Sequence, residues 1–199
     1  MNEGIDIDTT ARTSCPAVEL LAIAYHEGGH AVGAVLVSPS LPIVSVTIVP
    51  DEDYIGRVTY EDWDDLVVPD AYDADVGDVL SEHARAYERS FLTTSYLGAL
   101  AEGWIRTGII EAASPHCWSG DRDGIVSHTL LLIDKDDLEK TGRGWGWARS
   151  ARDRAAILLI EDHPFFWYAV GLVAAALMCE KTLRGADVEA LVEAAQGRA

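Results

Sequence analysis

The stretch AYHEGGHAVG, residues 24–33, constrains this chain more than any other ten residues in it. It lies inside PAVELLAIAYHEGGHAVGAVLV (16–37), which carries no strong helix breaker after Pro16, and Pro16 itself suits a first helical turn. The segment therefore reads as one helix. A helix advances about 1.5 Å and 100° per residue, so positions four apart lie about 6 Å apart on nearly one face. His26 and His30 are such a pair. Gly28 and Gly29 stand between them, and each costs a helix interior roughly 1 kcal/mol relative to alanine. Such a cost has to be offset, for example by close approach of another backbone or of a substrate at this level of the helix.

Two histidines at this spacing can aim imidazole nitrogens at one ion, about 2.0–2.1 Å from each. Glu27, one residue on, points past such an ion instead of at it. Its carboxylate would stand beside a water that zinc makes acidic near neutral pH, and would take that water's proton as it attacks a carbonyl. The competing reading is a helix with two solvated or core-satisfied histidines. The small apolar flanks suit a buried metal helix better. Two histidines do not close a catalytic zinc site, which takes a third protein ligand and leaves the fourth position to water. His83, His116, His128, His163 and many carboxylates lie downstream, and spacing alone does not choose among them.

The rest of the chain reads as one mostly helical domain, residues 1–199, with residues 1–15 as a flexible tail. IVSVTIVP (43–50) is β-branched and alternating, hence a strand; IGRVTYE (55–61) is a second, with DEDY as the hairpin loop between them. The segment 61–78 has eight acidic residues and no basic ones and reads as an exposed loop. Residues 79–106 show helical spacing of Tyr87, Phe91, Leu97, Leu100, Ala101 and Trp104. After a connector (107–120) comes a helical stretch at 121–134, and KTGRGWGW (140–147) breaks the pattern. Three helices are expected at about 147–162, 164–181 and 186–197, with Pro164 near the first position of the second and RGAD separating the last two. The fold class is mainly α with a small β-sheet, α+β.

Charge and cysteine content narrow the partners. The chain has 199 residues and a formal charge of −18, from 33 acidic and 15 basic side chains. Such a surface repels nucleic-acid phosphates and anionic lipid, so neither nucleic acid nor membrane is an expected partner. Cys15, Cys117 and Cys179 are far apart and odd in number, which fits isolated thiols in a reducing compartment. The N-terminus is acidic and polar, unlike a signal peptide. The apolar run PFFWYAVGLVAAALMC (164–179) falls short of the roughly 18 to 20 residues that cross a bilayer and reads as a buried core helix. A soluble, cytoplasmic protein is expected.

HEGGHAVGAVLV, then VSVTIVP, then IGRVTY resembles the peptidase domain of FtsH-type zinc metalloproteases. YLGALAEGWIRTG (96–108) is similar to that family's small-residue helix with its Ala-Glu pair, and EKTLRGADVEALV lies within a stretch similar to its C-terminal helices. The resemblance covers most of residues 20–197. It implies a zincin-like fold, Zn2+ held by His26 and His30, Glu27 as general base, and hydrolysis of peptide bonds in unfolded or flexible polypeptides. By the same resemblance the third ligand is an aspartate after a Gly-containing turn. SGDRDGIVSH supplies Asp123, with Asp121 second, although the Gly-to-Asp interval is one residue shorter than usual and either aspartate could instead cap a helix. Glu102 is expected to orient a ligand histidine or to serve as a buried structural carboxylate. The family carries an ATPase module, and no G-x-x-x-x-G-K-[ST] loop occurs here, so ATP-independent cleavage by a stand-alone peptidase domain is expected. A homo-oligomer and a separate ATPase partner are both compatible with the resemblance, because the family works as a ring. The alternative is a zinc-binding interaction protein of the same fold with little or no turnover. Regulators that cleave phage-type repressors share the histidine-glutamate motif but lack counterparts of the C-terminal helices.

Overall fold

The computed structural model describes residues 16–37, 42–61, 82–108, 156–157 and 159–198, with the backbone alone for 82–89. In order these form α1 (Pro16–Val37), β1 (Ile43–Thr47), β2 (Arg57–Tyr60), α2 (Glu82–Thr107), α3 (Phe166–Glu180), β3 (Thr182–Arg184) and α4 (Gly185–Gln196). The described residues are mainly helical with one small antiparallel sheet, as an α+β reading requires.

Among the described residues α1 is the central helix. It packs along α2 on one side and α3 on another, and rests on β1. Its small residues make this possible. A methyl on Gly29 would lie 2.5 Å from the Leu97 carbonyl oxygen and 2.8 Å from Ala101 Cβ, so α1 and α2 touch backbone to backbone there. On the α3 side, a methyl on Gly28 would meet the Val170 carbonyl at 3.4 Å. The two glycines thus do offset their helix cost by close helix packing. Around them Val32, Leu97, Leu100, Phe166, Val170 and Leu177 are fully buried, and Val46 and Ile48 close the core from the sheet side. By length and composition α1 also reaches the size of a membrane-crossing helix, which the shorter run at 164–179 does not; 56% of its apolar window is buried inside the fold.

The sheet has the order β2-β1-β3. Val46 pairs with Val58 on β2 and with Leu183 on β3. β3 corrects the expected connector at RGAD. Thr182–Arg184 is only three residues long, too short to show alternation, and it is a strand because β1 supplies its partner. The turn into it requires Lys181 to adopt a positive φ of 66°; its amide donates to the Leu177 carbonyl and its own carbonyl accepts from the Ile48 amide. A second correction concerns Pro164. It lies in a turn before α3, which begins at Phe166, and the Phe166 amide donates to the His163 carbonyl there. The expected helix at 121–134, the break at 140–147, the acidic 61–78 segment beyond Glu61 and the 1–15 tail lie outside the described residues.

Candidate functional site

α1 and α2 run antiparallel, so successive levels of α1 meet successive levels of α2 in reverse order. His30 meets Thr94, His26 meets Glu102, and Glu19 meets Arg106. The Nδ1 of His30 lies 2.9 Å from the Thr94 carbonyl oxygen, and the Nδ1 of His26 lies 3.0 Å from Glu102 Oε2. A carbonyl and a carboxylate can only accept, so each Nδ1 carries the proton and donates. A neutral imidazole has one proton, and each Nε2 is therefore an acceptor.

The two Nε2 atoms face each other at 2.8 Å, with the rings nearly perpendicular at 82°. Two acceptors at that distance repel unless a proton or a cation stands between them. This donor set fits a zinc ion: two imidazole nitrogens converge on one point, and each ring is oriented from behind by a hydrogen bond to its other nitrogen. Gly98 on α2 makes the geometry possible, because any side chain there would collide with the His30 ring.

Glu27 is buried, with 6% of its surface exposed. It faces the β1–β2 connection, where a methyl on Gly56 would lie 2.7 Å from Glu27 Oε1 and 2.9 Å from its Cγ. The chain can cover the Glu27 carboxylate at this point only with glycine. Asp51 shapes the connection: its Oδ1 accepts the amides of Asp53 (2.9 Å) and Tyr54 (2.8 Å), while its own amide donates to the Tyr54 carbonyl. Those two amide bonds, with Arg57 adding charge, hold the Asp51 carboxyl below the usual aspartate range.

Glu102 is more than an acceptor for His26. Its Oε1 accepts from Arg106 Nε at 2.7 Å, and Arg106 donates through Nη1 (3.1 Å) and Nη2 (2.6 Å) to the two oxygens of Glu19. Burial pushes the Glu102 carboxyl up, but the hydrogen bonds from His26 and Arg106 outweigh it and hold the group below its ordinary range. The Glu19 contact is the largest reason that the Arg106 guanidinium is held even more firmly protonated than usual.

Of the residues singled out from the sequence, the structure brings together His26 and His30, places Glu27 against Gly56, and pairs Glu102 with His26. Asp123 and Asp121 lie outside the described residues, as do His116, His128 and the side chain of His83. His163 packs against Phe165 just before α3. Among the described residues, no group of three or more His, Cys, Asp or Glu side chains gathers as a metal-binding set. Gly98, Gly56, Arg106, Glu19 and the Thr94 carbonyl were not anticipated. The Glu102–Arg106 pair, four apart on one helix, had a sequence signal; Glu19, 87 positions from Arg106, had none.

No family model matches the chain. It is similar to a curated protein of Symbiobacterium thermophilum, "ATP-dependent zinc metalloprotease FtsH 1", at 28% identity over 191 residues. That alignment takes in 94% of this chain and 31% of the relative, so the chain spans about a third of the relative's length.

Proposed function

We propose that this chain is a zinc metalloendopeptidase with a zincin-like, FtsH-type peptidase fold. The observation that carries the reading is the pair of Nε2 acceptors of His26 and His30 at 2.8 Å, each ring held through its Nδ1. The relative's name supports the same chemistry. When bound, zinc supplies Lewis acidity that activates water near neutral pH and polarises a carbonyl. The chain's own residues do the rest. Thr94 and Glu102 keep both imidazoles in the tautomer that presents Nε2. Glu27 accepts a proton from the attacking water at its carboxylate and passes it to the leaving amine. Asp123 is proposed as the third ligand, with Asp121 as the substitute. β2 ends one side of the sheet among the described residues, and an extended polypeptide would pair along it as an added strand.

The substrate is accordingly an unfolded or loosely looped polypeptide, cleaved without ATP by this chain, in the cytoplasm, with neither nucleic acid nor membrane as partner. Self-association and a separate ATPase that delivers substrate remain compatible with the proposal.

Metal analysis and cleavage of a casein-like unfolded protein, with and without ATP, test it. About one zinc per chain is expected, lost in His26→Ala and His30→Ala. Glu27→Gln should keep zinc and lose turnover by roughly 100-fold or more, and Gly56→Ala should lower turnover with zinc retained, because its methyl displaces Glu27. Asp123→Ala should weaken zinc. Full zinc in both histidine variants would overturn the site. Zinc without cleavage would make the chain a metal-binding interaction protein, and stimulation of the pure chain by ATP would contradict the proposed independence.

A further inference from the structure

We propose that Arg106 and Glu19 are positioning residues of the metal site: they hold the Glu102 carboxylate against His26 and thereby set how tightly the metal is bound. The inference rests on reading His26 and His30 as ligands, and it concerns two residues that the zinc chemistry itself does not need.

The geometry is a closed circuit between two helices. Glu19 and His26 are seven residues apart on α1 and so share a face; Glu102 and Arg106 are four apart on α2 and share the facing one. The chain of contacts runs from Glu19 to Arg106, from Arg106 to Glu102, and from Glu102 back to His26. Three donors of one planar guanidinium are engaged at once, Nε toward Glu102 and Nη1 and Nη2 toward Glu19. A planar fork bound at both ends has no freedom to rotate. It pins Oε1 of Glu102, which leaves Oε2 directed at His26 Nδ1. A carboxylate without that anchor could turn its oxygens to water, and His26 would lose the acceptor that keeps its proton on Nδ1.

The charges agree with this role. Arg106 stands between two carboxylates, so Glu19 neutralises the cation and leaves the charge of Glu102 available to His26. A surface ion pair with a purely structural role contributes little to stability and has no reason to alter metal affinity. Arg106 and Glu19 are 30% and 45% exposed at their side chains, so their replacement leaves the core intact.

The test is zinc affinity of the full chain, measured by competition with a chromophoric chelator, for the unmodified protein, Arg106→Gln, Glu19→Gln, Glu102→Gln and the double variant Arg106→Gln/Glu102→Gln. Loss of a partner behind a ligand histidine costs about 10- to 100-fold in metal affinity. Arg106→Gln is expected at the low end, about 10-fold weaker, and Glu19→Gln weaker by about 3-fold, since Arg106 keeps its bond to Glu102. In the Glu102→Gln background, Arg106→Gln should add less than about 2-fold, because its effect passes through that carboxylate. Imidazole 15N shifts of the metal-free protein give a second readout: the Nδ1–H tautomer of His26 in the unmodified chain, a mixture of tautomers in Arg106→Gln. Zinc binding by the unmodified chain with unchanged affinity in Arg106→Gln, or an equal loss in both backgrounds, overturns this inference and leaves the functional reading standing. No zinc binding by the unmodified chain overturns both.

Discussion

His26 and His30 sit one turn apart on the same helix and are held by different means. The His30 level is made of backbone: a carbonyl of α2 receives its Nδ1, and Gly98 and Gly29 let the two helices approach until the ring fills the gap. The His26 level is made of side chains, a carboxylate backed by a guanidinium backed by a second carboxylate, and it lies closer to solvent. A backbone acceptor cannot be titrated or replaced, so the His30 level tolerates almost no change in volume. A side-chain acceptor can be adjusted one residue at a time. The two proposed ligands are thus set by packing on one side and by electrostatics on the other.

The largest break in that contrast is expected from Gly98→Ala. The added methyl overlaps the His30 ring, and overpacking of this kind costs about 1–3 kcal/mol. Thermal unfolding of the metal-free protein should show that loss, and chelator competition should show zinc affinity reduced by about 100-fold. Retention of both would mean that the helices separate easily and that the His30 level is not rigid.

Glu102→Gln should act on metal more than on fold. A neutral amide keeps the size of the side chain but loses the charge facing His26, so zinc affinity should fall by about 10- to 100-fold with the far-ultraviolet circular dichroism unchanged. Loss of fold in place of affinity would move Glu102 to a structural role.

Thr94→Val sharpens the comparison from the other side. The Thr94 hydroxyl is buried with no hydrogen-bond partner among the described residues, and His30 uses the carbonyl of that residue. Valine removes the unpaired hydroxyl and keeps the carbonyl. Zinc affinity should be unchanged, and stability should rise by up to about 1 kcal/mol in denaturant titration. Weaker zinc binding would show that the hydroxyl takes part after all.

The smallest effect is expected in acid. The Glu102 carboxyl is held below its ordinary value of about 4.5 in the fold, so its contribution to stability is present above that value and is lost as pH falls through the lower folded value. In metal-free protein, Glu102→Gln should flatten the part of the acid-unfolding curve below about pH 4.5. An unchanged curve would mean that the His26 level carries no net charge coupling. The His30 level, which rests on a carbonyl, has no counterpart to this effect.

The shared face of His26 and His30 was legible from residues 24–33 alone. A helix has a fixed pitch, so two histidines four apart must share a face, and an adjacent glutamate must point elsewhere. The unfavourable Gly28–Gly29 pair likewise announced a close approach before its partner was known. The mainly helical character and the first two strands followed from periodicity, which is a local property. What stands behind the histidines was not local. The Thr94 carbonyl is 64 positions from His30, Glu102 is 76 from His26, and Glu19 meets Arg106 across 87. β3 is a strand only because β1 lies beside it, and Gly98 and Gly56 count only because a ring and a carboxylate come to rest against them. Helical pitch placed two nitrogens on one face, whereas the packing of α1 on α2 decided which atoms hold each ring, because hydrogen bonds between helices depend on register and separation that no local pattern contains.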